Sequence, residues 1–479
     1  MSEEPKVLDP KLCELTMAVV REMDAKSSEY LGRDDEPWVP RRRRQSVSSY
    51  ESGWPTVGRA ATADRVDDIA YGEFFSSSRD AIHPFAYEDL DALRGLFTYV
   101  RTTPAILERT LPSIPAGGEA ILQTFFEYSV RDLPFSIFDR SKVLGFAIDS
   151  AEVLELYRQR EKSWLAPELG YELVVPLVLT NLELDATFEI DDQSRIELLD
   201  DNDLRRMSVD YDISGVPGPV ADAARFAIVV GMPALPNPGE GRRMFMWEEV
   251  PDTTKIEAVC EALRIVSSAP TGWARVFRRP LGWAGSWTDD LPEYNLLYTA
   301  RRYPGVFDDF GWLKPGPTVT REQLDLLPAV TSALAASSKP TRLAARRLST
   351  ALVRDAPDDQ LVDACIGLEA LLGQKGAELS YRIALRAAVL LSSRSTDPMS
   401  AESVFRMAKT VYARRSELVH GSSSDKQAQF EVPGKAPVAT NSVAVRLLRE
   451  VLQERLLRPG DWSVEDLDTQ VLNVLGGRT

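Results

Sequence analysis

Two side chains able to act together on a phosphate stand five positions apart near the end of the chain, Arg415 and His420 in VYARRSELVHG. A guanidinium grips phosphate through a planar fork of donors. An imidazole carries protons near neutral pH, and the negative end of a helix favours its protonated form. Gly421, directly after His420, is the residue type at which helices commonly stop. Ser416, next to the arginine, supplies a hydroxyl that could orient either partner. Side chains five apart on an ideal helix diverge by about 140°, so one helix does not bring both to a single phosphate. Fraying at Gly421 would solve this, as would a second copy of the helix across a two-fold axis. A composite site in a homodimer is the simplest arrangement.

The helix that carries the pair must itself be held. Val404, Ala408, Val411, Tyr412 and Val419 fall on one side at 100° per residue, and Arg415 falls within that arc. Arg386 repeats the anomaly one helix earlier, between Leu379, Ile383 and Leu390. A guanidinium facing a core is costly unless it is paired or used. Two accounts stand open for these arginines: ion pairs with Glu369, Glu378 or Glu417, or a role in a site. His420 likewise could be a helix-end residue and nothing more, and Tyr381 and Tyr412 read as core. Five helical segments follow one another after residue 340, and in the second Leu361, Cys365, Leu368 and Leu372 form one apolar stripe. An up-and-down bundle is the expected packing.

The segment LEALLGQKGAELSYRIALRAAVLL followed by VYARRSELVHG resembles the HEPN superfamily, in particular the ApeA-like HEPN branch of prokaryotic anti-phage defence. The family's signature, an arginine and then a histidine after a short spacer, is met by Arg415 and His420. The resemblance is confined to the C-terminal stretch from about residue 340. It implies a four-helix bundle, a homodimer formed through it, and RNA as the substrate. It also implies cleavage through the 2′-hydroxyl with neither metal nor cofactor, in an abortive-infection type of defence. Arg415 and His420 would be the catalytic pair with Ser416 beside them, supported by Arg386, Arg382, Glu369 and Glu378. Active members often carry a larger polar residue after the arginine, where this chain has Ser416. A non-catalytic HEPN module that binds RNA or a protein is the alternative. A third reading is a signalling protein whose Trp-rich middle binds a small ligand.

The composition narrows the chemistry further. Three distant cysteines, Cys13, Cys260 and Cys365, argue against a disulfide framework or a cysteine zinc site, and two histidines exclude a His-rich one. No Walker motif, dinucleotide fingerprint or G-x-S-x-G occurs. The chain has no long uncharged apolar run and opens on MSEEPKVLDP, so the expectation is a cytoplasmic protein with no membrane partner. The net charge of −16 disfavours a nucleic-acid partner until it is divided. Residues 340–479 hold 19 basic and 17 acidic residues, a balance of +2, leaving −18 for residues 1–339. The acidic front could mask the C-terminal part or sense an infection signal, such as a phage-derived trigger.

The expected fold is α+β: a mostly helical multi-domain protein with a small central β-rich domain and a C-terminal HEPN-type bundle. Residues 1–75 read as a helical opening and a flexible Ser-rich and basic leader, in which Arg41 to Arg44 could touch an anion. Residues 76–170 read as helical, with Leu90, Leu93, Leu96 and Phe97 on one stripe. In the same region Ser150 reads as an N-cap before Val153, Leu156 and Tyr157. Residues 171–339 read as a sensor or regulatory region: a small sheet over about 171–235, then loops packed by Trp273, Trp283 and Trp287. Arg275, Arg278 and Arg279 could stack on bases beside those tryptophans, or be buried with them. The Asp191–Asp192 and Asp200–Asp203 loops read as solvated turns, and His83 as structural.

Overall fold

In the computed structural model the described residues are 6–33, 38–42, 45–59, 68–80, 83–111, 119–208, 215–240, 250–267, 269–288, 291–374, 378–393, 400–420, 428–431, 436–458 and 463–475. Arg43, Arg44 and Gly421 lie outside them. Helices dominate, joined by one six-stranded antiparallel sheet and several two-stranded pairs, so the α+β expectation holds at that level.

The first unit is built from α1 (Pro10–Leu31), α2 (Asp91–Thr102), α3 (Glu119–Leu144) and α4 (Ala151–Leu165). Its core has Val19 and Val20 of α1, Leu93 and Leu96 of α2, Ile137 and Phe138 of α3, and Val153 and Tyr157 of α4. α4 starts where its sequence dictates, because the Ser150 side chain accepts from the Val153 amide. The leader is not irregular throughout. β1 (Gln45–Ser49) and β2 (Pro55–Arg59) pair as a hairpin, closed by a turn in which Gly53 has a φ of 85°. Trp54 anchors it, buried with its indole N–H donating to the Lys314 carbonyl at 2.8 Å. A polar composition concealed this hairpin, which is held by Trp54 and Tyr50 on one cluster and by the cross-strand pair Val47 and Val57 on another.

The sheet has six strands: β3 (Tyr171–Val178), β4 (Phe188–Asp191), β5 (Ser194–Leu198), β6 (Ala224–Gly231), β7 (Trp273–Pro280) and β8 (Asn295–Arg302). Their order is β4-β5-β6-β3-β7-β8, every neighbouring pair antiparallel. Period-two alternation splits β3: Leu173, Val175 and Leu177 join one core, Val174 another. The register of β7 on β3 breaks between Trp273 and Phe277, and Pro176, which has no N–H to give, lies opposite that break. β7 and β8 replace the loops expected in the Trp-rich stretch. The pattern of β7 was obscured by Arg275 at a buried position and by Arg278 and Arg279 at half-buried ones.

Those arginines are consumed by the fold. Arg275 is buried and donates to Asp222 at 2.8 Å, while Arg279 bonds both Glu172 and Glu197. Arg278 lies over the Tyr171 ring at 5.2 Å, and Trp273 and Trp283 are buried. The alternative in which this cluster stacks on RNA bases is thereby corrected. The aspartate loops are structural too: Asp200 caps the short helix Asp201–Arg206, and Asp191 pairs with Lys255. His83 sits in a local turn, its ring 3.0 Å from the Asp80 carboxylate.

The remaining helices of nine residues or more among the described residues are α5 (Thr254–Val266), α6 (Leu327–Ala335), α7 (Lys339–Val353), α8 (Pro357–Leu372), α9 (Leu379–Ser392), α10 (Ala401–Val419), α11 (Thr440–Leu457) and α12 (Val464–Leu475). α11 is the hub, packing on α5, α6, α7, α8, α9 and α10. Gly367 permits its close approach to α8, since a Cβ there would come within 2.6 Å of Leu448 Cδ2. The expected α8 stripe of Leu361, Cys365, Leu368 and Leu372 is buried. One apolar core runs from the inner face of the sheet through α5 and α6 into these helices, without a break at residue 340. Among the described residues no helix is long and apolar enough to cross a membrane.

Candidate functional site

α10 begins where the Ser400 side chain accepts from the Ser403 amide at 3.2 Å. Val404, Ala408, Val411 and Tyr412 then bury its apolar side, as their spacing requires. The stripe does not continue unchanged to the helix end. Arg414, not singled out from spacing, is the more buried arginine, with 9% exposure, and it pairs with Asp358 at 3.3 Å and Glu417 at 3.4 Å. Val419, expected on the buried side, is 64% exposed. In the last turn of α10 it is Leu418, half-buried against the core, that packs inward, and Val419 beside it faces solvent.

Arg415 therefore sits at the margin of the stripe, its side chain 33% exposed, with Nη2 3.2 Å from Oε1 of Glu369 on α8. The contact is electrostatic rather than directional, because neither Arg415 Nε nor Glu369 Oε1 makes a hydrogen bond although both are closed to solvent. Behind the pair lies a dry layer. Burial pushes the Cys365 thiol up to about 12, and burial also raises the Tyr412 hydroxyl, with Cys365 and Glu369 adding to the rise. The Tyr412 hydroxyl donates to the Cys365 carbonyl at 3.5 Å. Cys365 is thus a neutral packing residue and no nucleophile at neutral pH.

His420 terminates α10, its amide donating to the Ser416 carbonyl at 3.1 Å, and both side chains face solvent. The connection between Ser416 and His420 is thus through backbone. Arg415, Ser416 and His420 share one helix end, with the arginine tethered and the histidine exposed.

The expected supporting residues divide. Glu369 belongs to the Arg415 locus. Arg386, 1% exposed, is held elsewhere: Nε and Nη2 each donate to Asp468 of α12 at 2.7 Å, Nη1 to the Leu372 carbonyl at 2.7 Å and Nη2 to Gln374 at 3.0 Å. It locks the C-terminus of α8 to α9 and α12. Its acidic partner is Asp468, in place of Glu369, Glu378 or Glu417. The Arg386 guanidinium holds the Asp468 carboxyl below the usual carboxylate range, and Arg382, one turn away, adds to that field. Glu378 is exposed at the start of α9, in a left-handed conformation with φ 62°, and makes no side-chain cap. Arg386, Arg382 and Glu378 are therefore not brought to Arg415. Among the described residues no cluster of three or more His, Cys, Asp or Glu could hold a metal ion.

No protein-family model, curated protein or solved structure matches this chain.

Proposed function

We propose that the chain is a metal-independent RNA endonuclease of the HEPN kind, acting in anti-phage defence of the abortive-infection type. The observation that carries this reading is the end of α10. An arginine with a third of its side chain exposed, tethered by one charged contact to Glu369, shares a helix terminus with an exposed histidine. The HEPN-like sequence of α8 to α10 supplies the rest of the argument.

In this reading Arg415 binds the scissile phosphate and stabilises the charge that develops on it. The 2′-oxygen forms a bond to phosphorus and loses its proton, the bond from phosphorus to the 5′-oxygen breaks, and that oxygen takes up a proton. His420 serves one of these two proton transfers, and no metal is needed for either. Because Arg415 and His420 diverge around the helix, two copies meeting at their α10 ends complete one site. The front of the chain, acidic as a whole, restrains the site or senses a phage-derived trigger.

The Arg415–Glu369 pair also favours a second reading, since an ion pair accounts for the arginine without catalysis. The chain would then be a HEPN scaffold that binds RNA or a protein. RNA cleavage in EDTA by wild type and by His420→Ala separates the two. Cleavage by wild type and its loss in the variant supports the nuclease; equal cleavage by both rejects the assigned site, and cleavage by neither leaves the scaffold.

A further inference from the structure

A cleft of about 1090 Å³ opens between α5, α6 and α7, beside the edges of the sheet and far in sequence from α10. Its charges are mostly neutralised in pairs. Lys255 pairs with Asp191, Arg302 lies 3.5 Å from Glu257, and Arg301 meets Asp308 at 3.1 Å and Asp355 at 3.6 Å. Arg264 is buried and spends its donors on the Thr271 and Arg302 carbonyls. At the mouth Asp252 caps the first turn of α5 through the Thr254 amide.

Three lining groups are left over. Arg342 and Arg346 stand one turn apart on α7, exposed and outside any ion pair among the described residues, although the Arg346 charge acts on the Glu261 carboxyl. Two guanidinium groups at that spacing face the same way and repel each other unless an anion lies between them. Ser349 also lines the cleft, 8% exposed, and its hydroxyl, closed to solvent, has no hydrogen bond among the described residues. A buried polar group without a partner costs free energy, which a bound ligand can recover. Glu261 of α5 also lines the cleft and no described side chain bonds it. Burial pushes its carboxyl up to about 7, with Glu257 adding to the rise and Arg346 and Arg264 opposing it, so it can donate or accept.

We infer that this cleft binds a phosphorylated small molecule of nucleotide size, with Arg342 and Arg346 on the phosphates and Ser349 and Glu261 on the polar groups of the remainder. The volume admits a ligand of that size. The site is independent of the nuclease reading. It stands on α5 and α7, and neither Arg415 nor His420 takes part.

Isothermal titration of the full chain with ATP, AMP and pyrophosphate tests it, with circular dichroism of each variant as the check on folding. Saturable one-to-one binding of ATP is expected, weakened at least about tenfold by the double change Arg342→Glu and Arg346→Glu. Ser349→Val and Glu261→Gln should weaken ATP and AMP while leaving pyrophosphate unchanged. If these variants affect neither nucleotide but the double change abolishes pyrophosphate binding, the ligand is a bare phosphate and the assignment of Ser349 and Glu261 falls. Absence of saturation by all three probes up to about 5 mM, or unaltered ATP binding by a folded double variant, overturns the proposal.

Discussion

Arg386 and Arg415 stand on consecutive helices of the C-terminal region and look alike in sequence, each a cation on an apolar stripe. Arg386 is sealed by four directed hydrogen bonds from its three nitrogens, two of them to one carboxylate. Arg415 has a single charged contact at 3.2 Å and a third of its side chain open. A guanidinium that spends four of its five donors inside the fold holds helices together. One whose donors are left over is available to a ligand.

The largest effect on stability belongs to the sealed arginine. Arg386→Ala should lower stability by about 3 kcal/mol, near the low end for a broken buried pair because half of Asp468 still reaches water. A melting temperature equal to that of wild type would break the comparison at its firmer side. Arg386→Met should cost less, since an apolar chain of similar length refills the space.

Glu261 provides the pH-dependent effect. Its carboxyl is raised from the ordinary 4.5 to about 7, so its contribution to stability is fully present below 4.5 and is lost as the pH rises through 7. At most about 3 kcal/mol is involved, taking 1.36 kcal/mol per pH unit. Glu261→Gln should therefore match wild type at acid pH and melt higher than wild type above neutrality. Chemical denaturation at two pH values checks this, and a parallel pH dependence in both proteins counts against the burial argument.

The smallest effect is expected at the open arginine. Arg415→Met should change stability by less than about 1 kcal/mol, the range of partly exposed pairs. A loss comparable with that of Arg386→Ala would show Arg415 to be structural after all.

The same contrast explains what the sequence could reveal. The Ser150 cap, the α4 stripe of Val153, Leu156 and Tyr157, and the α8 stripe were legible because local spacing alone determines them. Strand β7 was not, because Arg275 is buried and Arg279 half-buried only through Asp222, Glu172 and Glu197 on distant elements. The partner of Arg386 lies 82 residues away and no spacing rule points to it. At the end of α10 the periodicity placed Arg415 inside the arc. The structure makes Arg414 the buried neighbour, because Asp358 on α8 and Glu417 one turn on supply its charge partners, which no spacing rule shows. The shared core also changes how masking by the acidic front is tested. Since α11 packs on α5 and α6, residues 340–479 are not a self-contained packing unit, and the salt dependence of RNA binding belongs to the full chain.

The central claim is that Arg415 grips a scissile phosphate, and Arg415→Lys isolates it, because lysine keeps the charge and loses the planar fork. The measurement is the rate of RNA cleavage in EDTA by this variant beside wild type, with the melting temperature of each. The account predicts a rate lower by about two orders of magnitude or more, with the melting temperature essentially unchanged. Cleavage by the folded variant at a rate near that of wild type would contradict it.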